Sequence, residues 1–174
     1  MAKNSKKQLK LVVITGTPGT GKTTIAKKLS LLLDYAYLNG SELVKTAHLA
    51  EEYDKTRHTD VVDPSKFAFA VLRVRDLLAE KGKKGLIVDS HLAHFLPVKV
   101  VDTCVVLTCS LPMLESRLKK KGWDAAKIRE NLDAEIFDTI LIEATEKKHN
   151  VIKLDTTKIF EKDIKKLAKF LEKI

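Results

Sequence analysis

The segment Gly16-Thr17-Pro18-Gly19-Thr20-Gly21-Lys22-Thr23 constrains this chain more than any other stretch of it. Its glycines, Gly16, Gly19 and Gly21, let the backbone turn tightly enough for successive N–H groups to converge on phosphate oxygens. Such a loop needs a buried strand directly before it and a helix directly after it, because the positive end of the helix faces the same anion. Both are present in the sequence. Leu11-Val12-Val13-Ile14 is a continuous apolar run of the kind buried on both faces of a parallel sheet. Behind the loop, Ile25, Ala26, Leu29, Leu32 and Leu33 recur at helical spacing.

The alternation continues along the chain. Strand-like runs follow at Tyr35 to Leu38, Leu86 to Val88, Thr103 to Thr108 and, more weakly, Asn150 to Leu154. A helix is expected from Asp63-Pro64, an N-cap followed by proline at the first helical position, with Phe67, Val71, Val74 and Leu78 inward and an end near Gly82. The C-terminus carries another, with Ile164, Leu167, Ala168, Leu171 and Ile174 on one face. Alternating strands and helices imply one α/β domain: a parallel sheet, right-handed crossovers and helices on both faces. A length of 174 residues suits one core rather than two. Residues 39–63 are polar and long for a connection, and we read them as a helical flap on the substrate side. Lys119 to Asp124 interrupts helical patterns at Pro112 to Lys120 and Ala125 to Thr145, and is a candidate lid. Residues 1–8 form a basic tail that lacks the apolar segment of a secretory signal, with the fold expected to begin near Leu9.

Composition excludes some classes and leaves others open. With 44% hydrophobic and 32% charged residues, and no apolar run near the roughly 18 needed to span a bilayer, the chain reads as a soluble globular protein without a membrane partner. Cys104 and Cys109 lie five residues apart in one strand pattern, on opposite faces, so they cannot pair; two buried thiols suit a reducing cytoplasmic setting. The net charge of +9 has two readings, attraction to phosphate-bearing partners such as nucleotides or RNA, or a Lys- and Glu-rich ion-paired surface of the heat-adapted kind.

The loop chemistry names candidate residues. Gly16, Pro18, Gly19, Thr20 and Gly21 would cradle the phosphates of ATP, Lys22 would reach its β- and γ-phosphates, and the Thr23 hydroxyl would meet Mg2+. Leu86-Ile87-Val88-Asp89 is an apolar strand ending in a carboxylate, the way a Walker-B aspartate is presented to Mg2+ or its water shell. His91 follows at the carboxyl end of the sheet, where position alone fits an ordinary loop histidine equally well; His94 and His48 carry weaker signals. Arg117 stands where its guanidinium could close over phosphates, against the plainer reading of a solvated helix arginine. Trp123 reads as a packing anchor before an adenine platform.

Taken together, T-G-T-P-G-T-G-K-T-T at 15–24, L-N-G-S-E-L at 38–43, I-V-D-S-H at 87–91, E-S-R-L-K-K-K-G-W at 115–123 and E-N-L-D-A-E-I-F at 130–137 resemble the adenylate kinase isoenzyme 6 family. The likeness is to its archaeal members and runs from about Leu11 to Leu154. It implies a nucleoside-monophosphate-kinase-like P-loop fold in three layers with a five-stranded parallel sheet, a monophosphate flap at about 39–65 and a short lid at about 117–128 without a zinc module. It implies that Gly19, Gly21, Lys22, Thr23 and Thr24 belong to the phosphate loop, that Asp89 and His91 form the D-x-H after the third strand, and that Arg117 is the lid-entry arginine. It further implies an adenylate kinase (ATP and AMP to two ADP) with ATPase activity, acting with a small-subunit ribosomal protein and rRNA in ribosome maturation.

Two departures bear on chemistry. Lys121 stands where relatives commonly have arginine, keeping charge but losing a bidentate fork. Asp89-Ser90-His91-Leu92-Ala93-His94 contains no arginine, whereas ordinary adenylate kinases carry one after this strand to hold the AMP phosphate. Water therefore competes as an acceptor, and Arg57 is the flap cation that position and charge suggest for the monophosphate. Other readings stay open: a nucleotide-gated assembly factor, or a kinase of another small metabolite.

Overall fold

A computed structural model describes residues 9–55 and 59–174. Five strands, β1 (Lys10–Gly16), β2 (Ala36–Asn39), β5 (Gly85–Asp89), β6 (Thr103–Thr108) and β7 (Val151–Asp155), form one parallel sheet in the order β2-β5-β1-β6-β7. The parallel α/β sheet is the one that the alternating pattern implied, and with five strands it is the P-loop kinase fold that the family resemblance implied.

Strand alternation explains why the central runs are apolar throughout. Leu11 and Val13 of β1 face one core together with Leu86, Val88, Cys104 and Val106, while Val12 and Ile14 face another with Ile87, Val105 and Leu107. The second core is closed by α1 (Lys22–Leu33) and α7 (Glu161–Lys173), through Ile25, Leu29, Ile164 and Leu171. The first is closed by α3 (Pro64–Glu80) through Phe67 and Val71, and by α6 (Thr139–Glu146) through Ala144. Each fully buried aliphatic side chain contributes roughly 1.5–3 kcal/mol, so the two layers dominate the stability of the fold. Leu32 and Ile174, expected inward, are instead exposed, Ile174 lying just past the end of α7. Cys104 and Cys109 are buried free thiols that belong to different cores.

Asp63 caps α3 as its sequence indicates, its carboxylate accepting from the Ser65 N–H at 2.7 Å with Pro64 in the first turn. The preceding segment is not wholly helical. A short helix, α2 (Gly40–Thr46), is followed by an antiparallel hairpin of β3 (Ala50–Asp54) and β4 (Thr59–Val62). The strands are polar and largely exposed, so they lack the alternation that marks a half-buried strand. Thr56, Arg57 and His58 at its tip lie outside the described residues, as do residues 1–8.

Past β6, α4 (Leu111–Lys120) ends at a turn containing Gly122 at φ 73°, and α5 (Ala125–Ile136) begins at the Asp124 cap. The pattern expected to run unbroken from Ala125 to Thr145 splits at Asp138, which adopts φ 48° and separates α5 from α6. Cys109, Leu114, Leu118 and Ile128 form a third small core there, with Trp123 packed against it. Among the described residues no helix is long and apolar enough to cross a membrane.

Candidate functional site

Sheet topology brings the candidate residues together. The strand order reverses at β1, and in an open α/β sheet ligands bind in the crevice at such a switch point, beyond the carboxyl ends of the strands. The register pairs Ile14 with Asp89 and Asn39 with Asp89, so the phosphate loop, the end of β5 and the end of β2 lie side by side. A cleft of about 990 Å3 opens there. Pro18, Gly19, Thr20, Gly21, Lys22, Thr23 and Thr24 line it from one side, Asp89 and His91 from its base, and Arg117, Lys121 and Trp123 from the α4–α5 side. Asn39, Ser41 and Thr59 face them from the segment of α2 and the hairpin.

The loop is held in an anion-cradling shape by backbone geometry. Gly16, Gly19 and Gly21 adopt φ of 133°, 95° and 98°. A Cβ on Gly16 would lie 2.3 Å from the Leu107 carbonyl oxygen, so only glycine fits against β6. A Cβ on Gly19 would meet Leu114 and Leu118 at 2.8 and 2.9 Å. Gly21 precedes α1 without a side-chain cap, leaving the first N–H groups of the helix to an outside acceptor.

Lys22 donates from its ammonium to the carbonyls of Gly16 at 2.6 Å and Thr17 at 3.1 Å. Half-buried along its length, it has its charged end drawn away from water, which lowers its pKa from 10.5 to about 8 against the opposing pull of Asp89; Lys121 lowers it further and Glu135 raises it. Asp89 is buried, and its Oδ2 accepts hydrogen bonds from the Thr23 hydroxyl at 2.7 Å and the Tyr37 hydroxyl at 3.0 Å. Burial first, then the Asp89 charge, push the Tyr37 pKa up to about 12, so this phenol stays a donor.

One hydroxyl and one carboxylate make a sparse metal site. Among the described residues no three or more His, Cys, Asp or Glu side chains cluster to hold an ion. That suits Mg2+, which keeps several waters and takes the rest of its shell from one or two protein oxygens and substrate phosphates. Thr23 and Asp89 fit such an ion, as an all-oxygen set suits a hard cation.

His91 lines the cleft and is exposed. The surrounding protein, then the charges of Lys22 and His94, lower its pKa from 6.5 to about 4. Water at its exposed edge offsets part of that shift, but the Lys22 charge alone favours the neutral ring at pH 7. His94 is buried elsewhere, its Nδ1 paired with the Thr15 hydroxyl at 3.2 Å and its Nε2 with Glu143 at 2.8 Å, which makes it a structural histidine of the loop after β5. His48 is exposed in the turn after α2 and does not line the cleft.

Arg117 is not a solvated helix arginine. Its Nη1 donates to the Gly19 carbonyl at 3.3 Å, the Thr156 hydroxyl at 3.3 Å and the Cys109 sulfur at 3.4 Å, and its Nη2 donates to the Thr156 carbonyl at 3.0 Å. It fastens the phosphate loop to the turn after β7. Sequence reasoning missed Thr156, whose hydroxyl also donates to the Thr20 carbonyl at 2.6 Å, because a lone threonine after a weak strand carries no motif. It also missed Glu135, which accepts from the Cys109 N–H at 2.7 Å, and gave Tyr37 and Asn39 no role, although their two-residue spacing places them on one face of β2. Trp123 packs on the third core while the ammonium of Lys127 lies 4.6 Å from its ring centroid, so its face is occupied by a cation.

Comparison with known proteins bears on the family and the fold. The AAA domain family matches residues 12–138. A protein of Methanosarcina barkeri described as "Putative adenylate kinase" is 35% identical over 94% of this chain and 85% of its own length. Another of that description, from Thermococcus kodakarensis, is 39% identical over 84% of this chain and 76% of its own length. Among solved structures, an unliganded sugar kinase from Janibacter sp. HTCC2649 superposes with a TM-score of 0.65 at 20% identity, covering 95% of each chain. Deoxyadenosine kinase from M. mycoides with bound dATP gives 0.54 at 18% identity, covering 94% of this chain and 99% of its own. At those identities the structures speak for the fold alone.

Proposed function

Because the chain belongs to the AAA domain family and to the archaeal family of the two relatives above, we propose that it is a nucleoside monophosphate kinase that moves the γ-phosphoryl group of ATP to AMP, with slower transfer to water. The observation that carries this reading is the 2.7 Å contact between the Thr23 hydroxyl and Asp89 at the mouth of a glycine-rich phosphate loop. The segment of α2 and the hairpin is the monophosphate flap, and the turn between α4 and α5 is the lid.

Transfer of a phosphoryl group needs little covalent work from a protein; the acceptor oxygen bonds to the γ-phosphorus as the bond to the β-bridging oxygen breaks, and ADP leaves. Catalysis is positioning and charge neutralisation. The N–H groups of Gly16 to Thr24 hold the phosphates against the start of α1. Lys22 leaves the Gly16 and Thr17 carbonyls for the β- and γ-phosphates, whose charge restores its proton affinity. Thr23 and Asp89 would hold Mg2+, which would supply neutralisation of the phosphate charge. Arg117 fixes the loop's shape through the Gly19 carbonyl and lines the cleft in which the phosphates would lie. An AMP phosphate oxygen is already unprotonated, whereas water must lose a proton, and a neutral His91 can orient that water.

Coupled assays of ATP with AMP, ATP alone and other monophosphates test the proposal: ADP formation with AMP supports it, and no turnover of any nucleotide with Mg2+ removes it. A small-subunit ribosomal protein and rRNA enter through the family resemblance. Pull-down with and without ATP tests that role, and equal or absent capture in both states counts against it.

A further inference from the structure

The chain of contacts on Asp89 extends past Thr23 into the flap. Asn39 closes β2 in register with Asp89, and Tyr37, two residues earlier, lies on the same face. The Asn39 carboxamide works at both ends. Its Oδ1 accepts from the Glu42 N–H at 3.1 Å, which caps α2, and its Nδ2 donates to the Tyr37 hydroxyl at 3.3 Å. That hydroxyl donates to Asp89 Oδ2 at 3.0 Å, the same oxygen that receives Thr23. The Tyr37 ring packs on the core beneath α1, with the Lys27 ammonium 5.7 Å from its centroid, so the phenol has little freedom to leave.

A second observation removes slack from this chain. Gly40, the first residue of α2, is buried so closely that a Cβ there would lie 2.5 Å from the Ser90 Cβ and 3.1 Å from the Asp89 carbonyl oxygen. The start of α2 therefore rests directly on the backbone that carries Asp89. Asn39 and Ser41 also line the cleft, on the side facing the phosphate loop. A molecule that presses on the first turn of α2 acts on the cap, the cap acts on the phenol, and the phenol acts on the carboxylate.

We propose that Tyr37 and Asn39 are positioning residues that couple the acceptor flap to Asp89. This rests on the assignment of Asp89 and the flap made above. Its consequence is that acceptor binding sets the orientation of Asp89, so the carboxylate is held for transfer to the monophosphate better than for transfer to water.

Tyr37→Phe keeps the ring and deletes one donor to Asp89; Asn39→Ser keeps a cap acceptor on α2 and deletes the donor to Tyr37. For Tyr37→Phe we expect kcat with ATP and AMP to fall about tenfold, the scale of one lost hydrogen bond to a charged group. The ATP-only rate should fall less than threefold, and ATP binding without divalent ions and the melting temperature should stay near wild type; a merely structural role would move these instead. Asn39→Ser should lower kcat in the same direction, and the double variant should be no slower than Tyr37→Phe alone, because both act through one chain. Wild-type kcat in Tyr37→Phe, or losses that multiply in the double variant, would overturn the coupling. Asp89→Asn, measured beside them, separates the two levels. If it loses at least about 100-fold while Tyr37→Phe loses nothing, only the coupling fails; if it keeps the wild-type rate, the assignment of Asp89 falls and the coupling with it.

Discussion

Replacing Arg117 by alanine should lower the stability of the nucleotide-free protein as well as its turnover. Four donor contacts join its guanidinium to Gly19, Cys109 and Thr156; the Thr156 carbonyl contact at 3.0 Å is well formed, and those at 3.3 and 3.4 Å are long. A hydrogen bond from a charged donor contributes roughly 1.5–3 kcal/mol, but water in the cleft can replace part of it at these carbonyls. The net loss should be about 1–3 kcal/mol, which for a domain of this size is a drop of about 3–10 °C in melting temperature. Arg117→Lys should recover less than half of that, since an ammonium lacks the planar fork whose second nitrogen reaches the Thr156 carbonyl. Calorimetric unfolding without nucleotide measures it. A melting temperature within about 1 °C of wild type, the range of an ordinary surface substitution, would refute the fastening role and leave Arg117 as a free phosphate-side cation.

Gly16→Ala should cost at least about 2 kcal/mol and abolish ATP binding, because its φ of 133° and the Leu107 carbonyl oppose a Cβ; chemical denaturation and nucleotide titration check both. Lys22→Ala should lower turnover at least about 100-fold. Lys22 has a folded-state pKa below its unfolded value, so the unfolded chain binds more protons between pH 8 and 10.5 and stability should rise with pH across that window in the wild type but not in Lys22→Ala. His91→Ala should lower turnover by roughly 10- to 1000-fold with ATP affinity much less affected, since the lost contact belongs mainly to the transition state. Because the surrounding protein and the Lys22 charge hold the His91 pKa below 6.5, any loss of rate through protonation of its ring should be centred below pH 6.5; a loss centred at or above pH 6.5 would contradict its environment.

The central sheet was legible because continuous apolar runs at Leu11 to Ile14, Leu86 to Val88 and Thr103 to Thr108 are buried on both faces, and few other structures require that pattern. The hairpin of β3 and β4 was not legible, since neither strand buries a face and their residues carry no period. The break at Asp138 was hidden for another reason. Asp138 takes a left-handed conformation without glycine, so no punctuating residue marks the end of α5. Residues of the phosphate loop and of the strand ending at Asp89 could be named in advance, whereas Thr156, Glu135 and Tyr37 act through contacts with segments distant in sequence, and Asn39 acts through Tyr37. The surface is rich in exposed ion pairs, among them Lys119 with Glu115 and Lys165 with Glu161, each contributing little by itself.

ADP formation from ATP and AMP with Mg2+, measured for the wild type and for Asp89→Asn at matched fold content, tests the proposed activity and its site together. The account predicts steady ADP production by the wild type that stops when a chelator removes the divalent ion, and a rate at least about 100-fold lower in Asp89→Asn. No ADP from the wild type, or a wild-type rate in the variant, would contradict it.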